Sequence, residues 1–188
     1  MAWQWHEYSD VDALVASVSA QLQAACAKAL ASRGRAVLAL AGGRTPLPLY
    51  RQLASGPLDW SHVTLLPTDE RCVPHDHPDC NLRELIAAFA AAQGVHTEAL
   101  TSPDGDPDRS ETVARAVLVR HPDPFDAVVL GMGADAHTAS LFPGAPQLDV
   151  ALDPATKIEA CRIDPLPLPP EAPYPRITLT ASRLLRAR

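Results

Sequence analysis

The 188-residue sequence predicts an α/β protein with a doubly wound, mostly parallel sheet and helices on both faces. Apolar runs of strand length, at 36–41, 62–67 and 125–130, alternate with longer segments in which apolar residues recur at helical spacing. Polar segments follow each of these runs directly, and two of the three contain paired or repeated glycines. Because ligands bind beyond the carboxyl ends of strands in such sheets, we expect the three segments to converge on one crevice.

The other elements follow in order along the chain. Residues 3–8 are rich in aromatic side chains and predict a short strand, and Asp10 is the expected N-cap of a long helix that stops at Gly34. Further helices are expected at 46–54, 81–92 and 108–119, and further strands at 156–163 and 176–180. The proline-dense stretch 164–175 is expected to be an extended surface loop.

The composition is that of an ordinary globular protein, with 47% hydrophobic and 20% charged residues. The apolar stretches are interrupted every few residues and the N-terminus lacks the pattern of a secretory signal, so we expect no membrane span and a cytoplasmic location. A monomer or weak homo-oligomer is expected, although no sequence pattern specifies the oligomeric state. The net charge of −6 and the lack of a long Lys/Arg run indicate no nucleic-acid partner. An anionic substrate would therefore need locally placed arginines or helix N-termini.

The segment after the first strand reads AGGRTP. Gly42 and Gly43 permit a tight turn and a close backbone approach, and Thr45 and Pro46 are expected to be the N-cap and first residue of the next helix. Backbone N–H groups at such a helix start suit a phosphate, with Arg44 beside them. An ordinary strand-to-helix turn is the alternative. The segment matches no nucleotide-binding motif, so it implies no nucleotide cofactor.

The segment after the second strand contains Asp69, Glu70 and Arg71 in succession. Arg71 could bind a phosphate or carboxylate oxygen in fork geometry, and the two acids could orient it or a water molecule. A solvated charge cluster with an internal ion pair is the alternative. Arg176, at the start of the last expected strand, is a candidate second phosphate ligand, with a salt-bridged surface arginine as its alternative.

The segment after the third strand, residues 131–144, reads GMGADAHTASLFPG. Its glycines leave the strand and place Asp135 and His137 on a short turn. His137 is the best candidate for a general base because imidazole titrates near neutral pH, and Asp135 could orient it. A structural histidine is the alternative, although the position at a strand end favours chemistry. Ser140 lacks the G-x-S-x-G context of a nucleophile.

Cysteine and histidine residues gather in one stretch, where Cys72, His75, His77 and Cys80 could in principle supply a zinc site. Their spacing matches no common zinc finger and the intervening prolines restrict the loop, so we expect no metal and interpret the stretch as a lid or surface turn. Without an export signal, these cysteines and the chain's other two are expected to be reduced thiols.

Taken together, these segments resemble the 6-phosphogluconolactonase family, which is related in fold to the Rossmann-like glucosamine-6-phosphate deaminases and isomerases. The matching segments keep the family's order: AGGRTPLPLY at 41–50, the DER…HPD-x-N pattern at 69–81, FDAVVLGMGADAHTASLFPG at 125–144 and RITLT at 176–180. Deaminase relatives read more like GHIAFNEP in the third segment. The stretch Ser140–Pro143 therefore favours the lactonase.

The resemblance implies hydrolysis of 6-phospho-D-glucono-1,5-lactone to 6-phosphogluconate in the oxidative pentose phosphate pathway, without a cofactor. Its partner is this small phosphorylated sugar lactone. The resemblance gives His137 the role of activating water or passing a proton to the ring oxygen, and it places Arg71 near the sugar or the developing oxyanion. It places Asn81 on the wall of the site. The implied 6-phosphate ligands are Gly43, Arg44, Thr45 and Arg176.

The chain departs from the family pattern at several positions. The usual SGGSTP has Ala41 and Arg44 here, the usual DGH has Ala136, and the usual serine before Asn81 is Cys80. If the glycine replaced by Ala136 holds a positive φ, alanine costs about 1 kcal/mol. We expect residues 1–188 to form a single sugar-phosphate lactonase domain that lacks the C-terminal helix and strand of relatives. An amino-sugar-phosphate deaminase or isomerase and a non-catalytic sugar-phosphate-binding protein are the alternative functions.

Overall fold

A four-stranded parallel sheet forms the centre of the computed structural model, which describes residues 4–169 and 172–188. The strands lie in the order β4 (His96–Thr97), β2 (Val63–Pro67), β1 (Ala36–Leu40) and β5 (Ala127–Val129). Alternate residues of β1 face opposite sides of the sheet: Leu38 and Leu40 belong to one hydrophobic core, whereas Ala39 belongs to the other. The predicted α/β class with a parallel sheet is confirmed.

Helices cover both faces of this sheet. α1 (Val11–Arg33), α2 (Leu47–Ala54) and α3 (Asn81–Ala88) share the core that contains Leu38 and Leu40, and α4 (Pro107–Arg120) packs in the other core. The ends of α1 are those expected from the sequence. The Asp10 carboxylate accepts a hydrogen bond from the Ala13 N–H, and Gly34 takes the left-handed conformation at φ 70°.

A second, antiparallel sheet of three strands lies against the α4 side of the molecule. Its strands are β3 (Asp69–Arg71), β7 (Arg176–Leu179) and β6 (Ala160–Ile163), with β7 in the middle. Ile177 and Leu179 of β7 pack in the same core as α4. Two short helices, α5 (Leu148–Leu152) and α6 (Ala181–Leu184), complete the fold. The sequence did not predict that the Asp-Glu-Arg segment is itself a strand.

Several local predictions need correction. The strand expected at 3–8 does not form over residues 4–8, and Trp3 lies outside the described residues. Thr45 is not the N-cap of α2, because Pro46 occupies the cap position and no side chain caps the helix. The third helix ends at Ala88 rather than at residue 92, and the strand expected from 156 begins at Ala160.

Helix α1 also corrects an expectation. By length and composition it could cross a membrane, although the sequence analysis expected no such segment. This is weak support for a membrane span, because core helices of soluble proteins meet the same criteria. In this structure Val15, Leu22 and Cys26 of α1 are buried in the core of the protein.

Candidate active site

The three polar segments meet in one open cleft of about 640 Å³ at the carboxyl ends of the strands. The turn after β1, strand β3 after β2 and the loop after β5 each contribute to its wall, as the sequence predicted. Of the expected site residues, seven line the cleft: Gly42, Gly43, Thr45, Asp69, Arg71, Asn81 and His137. Four lie outside the cleft wall: Arg44, Glu70, Asp135 and Arg176.

His137 and Asp135 form a directed pair on the loop after β5. The His137 Nδ1 atom lies 2.5 Å from the Asp135 Oδ1 atom, and the imidazole stacks on the Phe142 ring at a centroid distance of 4.3 Å. The hydrogen bond from His137 lowers the pKa of the Asp135 carboxyl group, so the carboxylate stays ionised at neutral pH. With Nδ1 engaged in this way, Nε2 is the ring nitrogen that remains to accept a proton.

The backbone of this loop takes conformations that are unusual for its residues. Ala136 has φ 66° and Ala139 has φ 51°, both in the left-handed region that favours glycine. Gly133 is required for a different reason, because a Cβ atom there would overlap the His137 ring and the Asp135 carboxylate. The loop therefore closes tightly around the histidine, and its two strained alanines are the kind of outlier that concentrates at functional sites.

Asp69 joins this loop to the antiparallel sheet. Its Oδ2 atom accepts a hydrogen bond of 2.5 Å from the Ser140 hydroxyl, and its Oδ1 atom accepts one of 3.2 Å from the Thr68 hydroxyl. The Ser140 N–H donates to the Thr178 Oγ1 atom at 3.2 Å. Ser140 is buried, so it holds the loop that carries His137 rather than meeting a substrate. No local sequence pattern predicts this contact, because the two residues lie far apart in the chain.

Arg71 and Asn81 line the cleft from two adjacent segments. The Arg71 guanidinium donates to the Asp79 carbonyl oxygen at 2.7 Å, and the Asn81 amide donates to the Asp69 carbonyl oxygen at 2.8 Å. Glu70, between Asp69 and Arg71, does not line the cleft and is 1% exposed. Burial raises the pKa of Glu70 to about 7. The backbone N–H groups that donate to its carboxylate act in the opposite direction, because they stabilise the charged form and lower the pKa.

The turn after β1 approaches Asn81 closely. A Cβ atom at Gly42 would overlap the Asn81 side chain, and Gly43 has φ 90°, which an L-residue rarely adopts. Both glycines of the AGGRTP segment are therefore required by the local geometry. The Arg44 side chain is exposed at this turn.

Arg176 is buried beside the site rather than on its wall. Its side chain is 3% exposed, donates to the Ala172 carbonyl oxygen at 2.7 Å, and lies 5.8 Å from the centroid of the Phe142 ring. The Nε atom has no hydrogen-bond partner among the described residues. Burial and the nearby Arg71 charge lower the pKa of Arg176. Among residues 4–169 and 172–188, the Nε donor of this buried guanidinium is thus unused, and a buried positive charge beside the cleft favours a nearby anion.

The side chains considered for a zinc site point to different neighbours. His75 contacts Thr101, His77 lies edge-on to the Tyr174 ring, and the Cys80 thiol donates to Glu70. Within residues 4–169 and 172–188, no three His, Cys, Asp or Glu side chains are grouped as a metal site. All four cysteines are free.

The cleft has an apolar wall that the sequence analysis missed. Val11 and Leu14 of α1 line it, together with Leu130 and Met132 beyond β5. Helical spacing placed Val11 and Leu14 on one face of α1. The packing that brings this face to the cleft depends on contacts distant in sequence, so no local pattern could reveal it.

Known proteins match both the sequence and the fold. Residues 9–188 match the family described as glucosamine-6-phosphate isomerases/6-phosphogluconolactonase. The chain belongs to this family. A 6-phosphogluconolactonase of Pseudomonas putida is 39% identical, covering 97% of this chain and 74% of the relative. One from Pseudomonas aeruginosa is 38% identical, covering 93% of this chain and 71% of the relative.

Solved structures of the family agree. The crystal structure of a 6-phosphogluconolactonase from Shewanella baltica superposes with a TM-score of 0.87 at 32% identity. The match covers 96% of this chain and 76% of that protein. The family resemblance expected from the four sequence segments is therefore confirmed.

Proposed function

We propose that this chain hydrolyses 6-phospho-D-glucono-1,5-lactone to 6-phospho-D-gluconate in the oxidative pentose phosphate pathway, with water activated by His137. The observation that carries the proposal is the Asp135–His137 pair, which places an oriented imidazole on the wall of a cleft shared with Arg71 and Asn81. The names of the relatives and solved structures support the same reaction.

The proposed mechanism uses His137 and Arg71 of the cleft wall, and Asp135 beside it. The Nε2 atom of His137 takes a proton from water as the water oxygen attacks the lactone carbonyl carbon, and Asp135 stabilises the resulting imidazolium. The Arg71 guanidinium stabilises the negative charge that develops on the carbonyl oxygen. When the tetrahedral intermediate collapses, the bond to the ring oxygen breaks and the Nε2 proton passes to that oxygen. No covalent enzyme intermediate is needed, and we propose that no cofactor takes part.

The phosphate group of the substrate lies in this proposal against the turn after β1. Gly43 and Thr45 line the cleft there, and backbone N–H groups at such a turn before a helix suit an anion. Arg44 adds positive charge at the same turn. In this proposal the buried Arg176, whose guanidinium lies 5.8 Å from the centroid of the Phe142 ring, adds a second positive charge. Asp69 keeps the His137 loop in place through Ser140, and Asn81 faces the sugar ring.

We also propose that the protein acts in the cytoplasm as a monomer or weak homo-oligomer, with a small phosphorylated sugar lactone as its partner and neither nucleic acid nor membrane involved. The acidic net charge of −6 disfavours binding to nucleic acid.

The proposal is tested by mixing purified protein with 6-phosphogluconolactone and, separately, with unphosphorylated glucono-1,5-lactone. We expect acid release above the spontaneous rate with the phosphorylated lactone and much less with the other. Ammonia release from glucosamine 6-phosphate would support the deaminase alternative. Binding of sugar phosphate without turnover would support the non-catalytic alternative, and either outcome without lactone opening contradicts the proposal.

For the phosphate ligands, Arg176→Ala separates binding from chemistry. We expect this change to raise KM for the phosphorylated lactone more than it lowers kcat, because the lost charge acts on a group remote from the reacting carbonyl. The KM for unphosphorylated lactone should change little. A fall in kcat with unchanged KM would contradict this role.

A further inference from the structure

The carboxylate of Glu70 connects the two segments that supply most of the polar cleft wall. Its Oε1 atom accepts hydrogen bonds from the Arg71 N–H and the Asn81 N–H, both at 2.8 Å. Its Oε2 atom accepts one from the Leu82 N–H at 2.7 Å and one from the Cys80 thiol at 3.6 Å. Four donors from β3 and the start of α3 thus meet on a single buried side chain.

Helix α3 depends on this carboxylate for its first turn. The residue in the N-cap position is Cys80, and its side chain makes no capping hydrogen bond. The N–H groups of Asn81 and Leu82 therefore have Glu70 as their acceptor in a buried position, where an unpaired N–H is costly. A carboxylate at a helix N-terminus is also favoured by the helix dipole.

The link is reciprocal. While the Glu70 side chain binds the backbone of α3, the Asn81 side chain donates to the Asp69 backbone carbonyl of β3. Of the four residues that donate to Glu70, Arg71 and Asn81 line the cleft, and so does Asp69, to which the Asn81 side chain is bonded. Glu70 itself is buried and, unlike these residues, does not line the cleft.

We infer that Glu70 is a positioning residue, which sets Arg71 and Asn81 for the lactone by holding β3 against the first turn of α3; this inference rests on the proposed function. In Glu70→Gln the amide group keeps the size of the side chain but replaces one acceptor oxygen by a donor. That donor faces an N–H group of β3 or α3, so the two segments separate and their cleft residues lose their alignment.

A double-mutant cycle tests the inference. Glu70→Gln should lower kcat/KM for 6-phosphogluconolactone at least 10-fold in the wild-type background, because Arg71 and Asn81 are misplaced. In a background that already carries Arg71→Ala and Asn81→Ala, the same change should alter the residual kcat/KM less than 2-fold, since the groups it positions are gone. Glu70→Asp keeps the charge and serves in the same cycle if Glu70→Gln does not fold.

Loss of a helix cap elsewhere provides the control. Asp106 caps α4 by accepting a hydrogen bond from the Arg109 N–H and does not line the cleft. Asp106→Ala should lower the melting temperature without changing kcat/KM. An unchanged kcat/KM in Glu70→Gln, or an equal fold-loss in both backgrounds, overturns the inference while the proposed function stands. Wild-type protein without lactone turnover contradicts the proposed function and overturns the inference with it.

Discussion

At the scale of single residues, the hydrogen bond between His137 and Asp135 fixes which ring nitrogen is free for chemistry. Replacing His137 by alanine removes the proposed base and leaves the substrate contacts of the other segments in place. We expect kcat to fall by about 100-fold or more, with a much smaller change in KM. Steady-state kinetics on the pure variant measure both. Equal effects on kcat and KM would undo the assignment of His137 as the base.

The partner carboxylate is tested separately. Asp135→Asn keeps the shape of the side chain but removes the charge that stabilises the imidazolium, so we expect kcat to fall about 100-fold. Asp153 is a matched control, because it is an exposed aspartate that accepts a hydrogen bond from the Ala155 N–H away from the cleft. Asp153→Asn should leave kcat unchanged. If the two variants have the same kcat, Asp135 does not orient the base.

Ala136 carries strain that glycine would relieve. At φ 66° its backbone is in the left-handed region, which costs an L-residue about 1 kcal/mol. Ala136→Gly should therefore raise the free energy of unfolding by up to that amount. Ala134 is the matched control, because it is exposed on the same loop and has no positive φ. Ala134→Gly should leave the free energy of unfolding unchanged or lower it. Denaturant unfolding measures both variants. A destabilised Ala136→Gly would contradict the strain.

At the scale of elements, the turn between β1 and α2 depends on close packing rather than on an unusual backbone at Gly42. Gly42→Ala would push its methyl group into the Asn81 side chain, so we expect KM for the lactone to rise. Gly34→Ala offers the opposite case, because Gly34 has φ 70° and a Cβ atom there meets nothing within 4 Å.

Gly34→Ala should therefore lower the melting temperature through backbone strain while KM stays at the wild-type value. Kinetics and thermal unfolding on both variants separate the two effects. If Gly42→Ala left KM unchanged, the turn and Asn81 would not act together on the substrate.

The sequence predicted these elements unevenly, for physical reasons. The strands at β1 and β2 and the ends of α1 carry strong local signals: continuous apolar runs, an aspartate cap and a left-handed glycine. The predicted start of α2 was wrong by one residue, because Thr45 and Pro46 both suit a helix start and the local pattern does not choose between them. Strand β3 has no apolar pattern of its own.

At the scale of the whole molecule, the sequence did not predict which strands pair when they lie far apart in the chain. β3 pairs with β7 through Arg71 and Arg176, more than a hundred positions apart, and this pairing creates the second sheet. The convergence of the three polar segments was predictable, because parallel strands share one carboxyl edge. No short motif encodes three features that depend on packing. They are the hydrogen bonds from the start of α3 to the Glu70 carboxylate, the burial of Arg176, and the apolar wall that α1 gives to the cleft.

Catalysis by His137 is decided by acid release from 6-phosphogluconolactone, followed at constant pH with wild-type protein and His137→Ala side by side. Spontaneous opening of the lactone without protein gives the baseline. The account predicts that wild-type protein opens the lactone well above this baseline and that His137→Ala loses at least about 99% of the added rate. Wild-type protein that stays at the baseline, or a His137→Ala variant as fast as wild type, would contradict it.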